Sequence, residues 1–471
     1  MAMELSSPES LGIDPAAITR FADALDAGKH GVHGLVIARH GRVAAEGWWH
    51  PYRPEDPHMM FSVSKTFTSL AVGLAISEGL LALDEPTHAV FPELREIPGQ
   101  TIRHLLTMTT GHPDDLWGVF MALPERDWAE LFFESPAPYP PGEHYVYSTA
   151  STYALAAAVT RRTGVSVSEY LTSRLFQPLG WETPFWERDA RGIEHGGTGL
   201  KLTTRQLAQL GQLLLQRGEW EGRQLVPAEW VDQASSWQTR NPWFEPSIES
   251  RLGYGFQLWR SSHGFRADGM CGQFAVVIPE LDLVVTTTSG SSDANQILTT
   301  IWRELLPGVT PGHEGAGEPD GRALALEGRA VPEPTPAEPD AAAEASLDGR
   351  TFALQGNPSG IERLAVRFAP DSVAFDFTTK AGVASLVAGR RDWVYGQTSS
   401  PLESLPIVPC AARASWAHDG ALELHVQLIG TPFRWVWRLI ADGPEGPQLT
   451  ARFTPDLGLT SHTDLLLTPV D

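Results

Sequence analysis

The chain has 471 residues, too many for one ordinary core, so two or three domains are expected. Its composition is globular, 42% hydrophobic and 20% charged, and its net charge of −22 argues against nucleic acid and anionic membrane surfaces as partners. No uncharged apolar run is long enough to span a bilayer, and the N-terminus MAMELSSPESLGIDPAA lacks a basic start and an apolar run, so a cytoplasmic protein is expected.

Residues 8–30 read as an amphipathic helix entered through Asp14-Pro15, a cap followed by a first-turn proline. Residues 34–39 and 43–49 are two strands joined by the His40-Gly41-Arg42 turn. From Val63 to Leu80 apolar residues recur at helical spacing, and Asp84-Glu85-Pro86 stops the run. Residues 101–111 form a short helix closed by Gly111. Residues 112–140 carry Trp117, Phe120, Trp128, Phe132 and Phe133 among acids and prolines; they read as a long excursion, either a packed surface loop or one wall of a cleft, rather than a core element. An alanine-rich helix spans 150–163, with Tyr147-Ser148-Thr149 on the loop before it.

A further helix follows Gly164. His195-Gly196-Gly197-Thr198-Gly199 looks like a phosphate cradle but lacks the Lys-Ser/Thr ending and a following helix start, so nucleotide binding is not expected. Helices at 203–217 and 227–235 precede a second aromatic loop, 236–250, with Trp237, Trp243 and Phe244. An all-strand stretch is expected from 253, through the glycine-punctuated 267–273, to 288, and a closing helix at 295–305. This order predicts an α+β domain, an antiparallel sheet built from both ends of residues 1–306 and flanked by helices, with a helical insertion. Residues 307–346, rich in Pro, Gly and Ala, read as a linker. Residues 347–471 alternate apolar and polar positions in short runs, which predicts an all-β barrel or sandwich. Cys271 and Cys410 lie far apart and suggest neither a disulfide framework nor a metal site.

The chemistry concentrates at Ser62-Val63-Ser64-Lys65. The chain has four lysines, Lys29, Lys65, Lys201 and Lys380, and Lys65 alone has serine three residues before it. Residues three apart share a helix face, so the Lys65 amine can reach the Ser62 hydroxyl. A lysine at the mouth of a buried helix must be paired or neutral. A serine nucleophile needs an adjacent base, and either a desolvated lysine or a tyrosinate beside a cation could serve. The helix N-terminus offers backbone N–H groups to a developing oxyanion.

Ser62-x-x-Lys65, Tyr147-Ser148-Thr149 and the Gly269 strand entry together resemble the serine β-lactamase and penicillin-binding protein superfamily. The closer likeness is to class C β-lactamases, family VIII esterases and 6-aminohexanoate-dimer hydrolases. Supporting context includes the 101–111 run, Pro141-Gly142, Gly253-Tyr254-Gly255-Phe256, Gly272-Gln273 and residues 279–285. The resemblance covers residues 8–306. It implies Ser62 as the acylated nucleophile, with Lys65 and Tyr147 sharing proton transfer and the choice of base left open. It implies Ser148, Thr149 and Gly269 at the substrate, with the N–H groups of Ser62 and Met270 as the oxyanion hole. No metal and no cofactor are implied.

Two positions depart from the pattern. Thr149 stands where asparagine is usual, and Ala267 where Lys or His is usual. A β-lactam carboxylate thereby loses its partner, with Arg266 or His263 as possible substitutes. The expected function is cleavage of a small-molecule ester or amide through an acyl-enzyme. The alternatives are a β-lactamase or D-alanyl-D-alanine carboxypeptidase, and a non-catalytic binding protein on the same fold. The C-terminal module is read as a lid, an independent binding domain or a dimerisation surface, which leaves a homodimer open.

Overall fold

Asp14 caps the first helix: its carboxylate accepts from Ala16 N at 3.0 Å, and Pro15 opens Pro15–Ala27. The chain is described by a computed structural model over residues 3–242, 247–315, 317–332, 337, 341–354, 360–380, 382–398, 408–440, 447–454 and 462–470. Val32–Arg39 and Arg42–Trp48 form the expected hairpin. Val32–Arg39 then pairs antiparallel with Leu283–Ser289, which continues through Gln273–Ile278 and Phe265–Gly269 to Trp259–Arg260. The sheet therefore joins the two ends of the first 306 residues. Of the expected all-strand stretch from 253, only Trp259–Arg260 forms a strand before Phe265; Tyr254 makes single bridges to Thr239 and Trp259 instead.

Side chains alternate between the two faces of this sheet. Phe274, Val276 and Ile278 pack with Ile18 and Phe21 of the first helix and with Ile297, Leu298 and Ile301 of the closing one. Phe265, Ala267, Ala275 and Val277 pack instead with the helical half of the domain. There the helix Ser64–Ser77 is buried at every residue from Ser64 to Ala75, as a helix apolar on most sides must be. The alanine-rich helix Thr149–Thr163 lies against it and ends in left-handed Gly164.

The 112–140 excursion is corrected by the structure. It folds into two short helices, Trp117–Ala122 and Trp128–Glu134, and Phe120, Trp128, Phe132 and Phe133 join the same core as Phe67 and Leu70. These four aromatic residues are core residues, with exposed acids among their neighbours. Each large buried side chain there contributes about 2–3 kcal/mol, which outweighs the loop-forming prolines nearby. Trp243 and Phe244 of the second aromatic segment lie outside the described residues.

Much of the 307–346 segment is laid along the first sheet. Asp320 accepts from Ser7, Leu324–Ala325 pairs parallel with Arg42–Trp48, and Arg329 bridges Asp23 and Asp26. The chain then enters a ten-stranded sheet running from Thr351 to Pro469, which a bridge from Gly389 to Arg413 closes into a near-barrel. Trp435, Trp437 and Leu439 alternate inward along Arg434–Ile440 and form part of the near-barrel's core. Cys271 and Cys410 are buried free thiols. Among the described residues, no helix is long and apolar enough to cross a membrane.

Candidate active site

The serine turn is held from three sides. Met60 N donates to Leu200 O at 2.8 Å, and Met59 N donates to Gly430 O of the barrel at 2.8 Å. Phe61 then takes a left-handed φ of 46°, and a single 3-10 turn, Phe61–Val63, leads into the helix that starts at Ser64. A bulky non-glycine residue at positive φ costs on the order of 1–3 kcal/mol and persists only where its surroundings fix it. Here Phe433 of the barrel stands edge-on to Phe61, with ring centroids 6.4 Å apart. The two domains thus meet one residue before Ser62. Phe433→Ala should lower kcat roughly tenfold with little change in KM, together with a lower Tm, because the turn loses its brace; steady-state kinetics and a thermal melt of the variant check this.

Lys65 is 1% exposed. Its Nζ lies 3.0 Å from Ser62 Oγ, 3.1 Å from Thr149 Oγ1 and 2.9 Å from Gly197 O. Burial pulls its amine down from the lysine range to about 7, against the opposing pull of Asp115 and Asp268. A neutral amine keeps two N–H bonds and one lone pair. Thr149 Oγ1 and Gly197 O can take the two N–H groups, which aims the lone pair at the Ser62 hydroxyl.

The glycine run read as an unlikely phosphate cradle therefore has another role. Gly196 O accepts from Thr68 Oγ1 at 2.9 Å, and a Cβ on Gly197 would sit 2.8 Å from Thr149 Cγ2. The run must lack side chains to reach Lys65 this closely.

Tyr147 sits above Lys65, its ring centroid 4.8 Å from Nζ, and its hydroxyl hydrogen-bonds with Ser62 and Trp259. Trp259 and Tyr254 wall the ring, with centroids 5.2 and 6.1 Å away. Burial raises the Tyr147 hydroxyl well above the ordinary tyrosine value, so the neutral phenol persists at neutral pH. Ser148 turns elsewhere: its hydroxyl caps the Thr149–Thr163 helix by accepting from Ser151 N and donates to Asp115 Oδ1 at 3.0 Å. Of the pair after Tyr147, Thr149 is the residue whose hydroxyl reaches Lys65.

Gly269 ends the Phe265–Gly269 strand against the serine turn. A Cβ there would lie 2.3 Å from Met60 O, so only glycine permits the approach. Met270 follows with a side chain 46% exposed, on a turn that Gln273 fixes by donating to Met270 O and Ser289 O at 2.9 and 2.8 Å. Ser62, Lys65, Tyr147, Thr149 and Gly269 are thus gathered into one site.

The substitutes for the missing cation are otherwise engaged. Ala267 packs into the helical core and is fully buried. Arg266 is 1% exposed and spends its guanidinium on Asp268, Arg260 O and Ser261 Oγ at 2.7–2.9 Å. His263 stands against Trp302, centroids 4.9 Å apart. Burial raises the Asp268 carboxyl, and Arg266 and Lys65 pull it back down.

Asp115, Gly197, Trp259 and Gln273 carry parts of the site that the sequence reading did not assign. Gly272-Gln273 was visible as family-like context; for Asp115, Trp259 and Gly197 no local signal distinguished them from turn and core residues.

The model of the family described as Beta-lactamase matches residues 18–306. The chain belongs to this family of serine hydrolases. Over 301 residues it is 25% identical to the 6-aminohexanoate-dimer hydrolase of Paenarthrobacter ureafaciens, covering 58% of this chain and 76% of that protein. It is 30% identical to esterase EstB of Burkholderia gladioli, over 31% of this chain and 44% of that one. It is 33% identical to the β-lactamase of Escherichia coli K12, over 25% and 32%. The chain thus spans less than half of the last two relatives. Among solved structures, a putative 6-aminohexanoate-dimer hydrolase from Bacillus anthracis superposes with a TM-score of 0.53 at 22% identity, over 64% of this chain and 89% of that one. The octameric penicillin-binding protein homologue from Pyrococcus abyssi matches with a TM-score of 0.52 at 18% identity, over 97% of this chain and 100% of that one. At these identities the likeness is one of fold, and in the second case it extends through the C-terminal near-barrel.

Proposed function

We propose that this family member hydrolyses a small-molecule ester or amide through an acyl-enzyme on Ser62. The observation that carries the reading is the buried Lys65 amine, near neutrality and 3.0 Å from the Ser62 hydroxyl. In its neutral form Lys65 takes the Ser62 proton as Oγ attacks the substrate carbonyl carbon. The carbonyl oxygen becomes an oxyanion, received by the backbone N–H groups of Ser62 and Met270. Collapse of this intermediate breaks the bond to the alcohol or amine. The leaving group takes a proton from Tyr147, which Lys65 replenishes. Water then attacks the acyl carbon and gives its proton back through the same pair. The second collapse frees the acid and reprotonates Ser62. In this reading Lys65 is the base and Tyr147 the relay, because Tyr147 keeps its proton at neutral pH.

The test is intact-protein mass spectrometry after brief exposure to p-nitrophenyl butyrate. An adduct of one butyryl group that maps to Ser62 is expected. Turnover with no Ser62 adduct at any quench time would sink the acyl-enzyme.

The charged groups acting on Lys65 are two carboxylates, Asp115 and Asp268, and the usual carboxylate-binding cation is absent at Ala267. This favours neutral substrates over β-lactams and peptides with a free carboxylate. The p-nitrophenyl ester of butyric acid should exceed that of glutaric acid in kcat/KM by roughly 10–100-fold, and added salt should narrow the gap. Equal rates would remove the charge argument. A homodimer, with the barrel as its surface, stays part of this proposal; sedimentation velocity decides it.

A further inference from the structure

The turn that carries Trp259 is fixed to both helices of the site. Gln257, 2% exposed and left-handed at φ 66°, accepts at its backbone O from Thr66 Oγ1 at 3.1 Å, next to Lys65. Its side-chain amide accepts from Thr152 Oγ1 at 2.7 Å and donates to Leu106 O at 2.8 Å. Thr152 belongs to the Thr149–Thr163 helix that follows Tyr147. Trp259 itself is 6% exposed and pairs in the sheet with Arg266. Tyr254 stands edge-on to its indole, centroids 5.0 Å apart, and the Arg266 guanidinium lies 5.6 Å from the ring centroid. An indole packed this way meets the Tyr147 hydroxyl in a set orientation.

The sense of each hydrogen bond follows from donor chemistry. An indole N–H only donates, so the Tyr147 oxygen accepts from Trp259. Neutral Lys65 spends its N–H groups on Thr149 Oγ1 and Gly197 O, so the Ser62 hydroxyl donates to the amine. The bond between Tyr147 and Ser62 then runs from the phenol O–H to Ser62 Oγ. The chain of bonds has a single sense, from Trp259 to Tyr147 to Ser62 to Lys65. Ala267 offers no charge where the family resemblance places a cation, and the carboxylates of Asp268 and Asp115 make the phenol harder to ionise. The donor that eases its ionisation comes instead from the neighbouring strand.

We propose that Trp259 is a positioning residue for the acid step: its indole N–H turns the Tyr147 proton toward the leaving group and stabilises the phenolate as that proton departs. The role rests on the Ser62 acyl-enzyme reading. When the tetrahedral intermediate collapses, the bond from the acyl carbon to the alcohol oxygen breaks and that oxygen takes the Tyr147 proton. The electron pair left on the phenol oxygen is held by the indole N–H. The Lys65 ammonium, formed when the amine took the Ser62 proton, then returns a proton to it. A group that leaves readily as an anion has little need of this step.

Trp259→Phe is assayed on p-nitrophenyl butyrate, whose phenolate leaves without a proton, and on ethyl butyrate, whose alkoxide does not. kcat/KM, which reads acylation, should fall by roughly 30–100-fold more on the ethyl ester than on the p-nitrophenyl ester. Tyr147→Phe should show the same bias. Trp259→Phe added to it should shift the ratio by less than about twofold further, because the indole acts through the phenol. Benzothienylalanine in place of Trp259 keeps the bicyclic shape with sulfur where the N–H was, and it carries the test if the smaller ring does not fold. An equal fall on both esters, an unchanged ratio in the folded variants, or full additivity in the double variant overturns the proposal. The Ser62 butyryl adduct of the wild type is followed alongside. An adduct with no shift in the ratio removes the role of Trp259 alone, and absence of the adduct removes the acyl-enzyme with it.

Discussion

Ser62→Ala is expected to lower kcat/KM for p-nitrophenyl butyrate by on the order of 10⁴-fold or more. In the proposed mechanism the Ser62 Oγ bonds to the acyl carbon, and no neighbouring group replaces it. Thr149 Oγ1 accepts from Lys65 at 3.1 Å, and Ser64 Oγ is turned away to accept from Leu200 N at 3.2 Å. The butyryl adduct should vanish in the same variant. Its Tm should change little, since one partly buried hydroxyl is lost and no cavity of methyl size is made. A variant that keeps more than about one hundredth of wild-type turnover, with the adduct elsewhere, would assign the nucleophile to another residue.

Lys65→Met should cost roughly 10²–10⁴-fold in kcat/KM while making the protein more stable near pH 6. The rate follows from loss of the base. In the wild type, the reactive form is the neutral amine, so log kcat/KM should rise with unit slope below about pH 7 and level off above it. The variant should lose this limb. The stability effect follows from linkage. The Lys65 amine titrates near 7 in the fold and near its ordinary 10.5 when unfolded. Between these values the unfolded chain holds a proton that the native state has released, so wild-type stability rises with pH across that window. Below about 7 both states are protonated and the native state bears the whole cost of the buried charge. Removing the amine lifts that cost, offset by about 1–3 kcal/mol for the Gly197 and Thr149 acceptors it leaves. A net gain on the order of 1–2 kcal/mol at pH 6, fading above pH 9, is expected from denaturant melts. A variant less stable than wild type at both pH values would contradict the neutral-amine reading.

The hairpin, the Ser64–Ser77 helix, the alanine-rich helix and the closing helix were all legible, because each declares itself through caps, turn residues and local periodicity. So was the Ser62–Lys65 pair, whose proximity is set by the pitch of a helix. The 112–140 excursion misled because prolines and acids dominate its local pattern, while its aromatic residues are buried by helices distant in sequence. Ser148 misled because its value as a helix cap competes with a place in the site, and only the turn of the chain decides which way the hydroxyl points. The tie between Phe61 and Phe433 spans more than 350 residues of sequence and has no local trace.

By itself, then, the order of residues determined which side chains are the candidates for the chemistry, which family the first 306 positions resemble, and that a β domain follows. Those are matters of local spacing and residue type. The tertiary structure alone decided the protonation of that chemistry. The Lys65 amine is pulled down to about 7 because helices, glycines and strand ends from across the chain exclude water from it. Burial depends on what arrives from far along the chain, and a pKa follows burial.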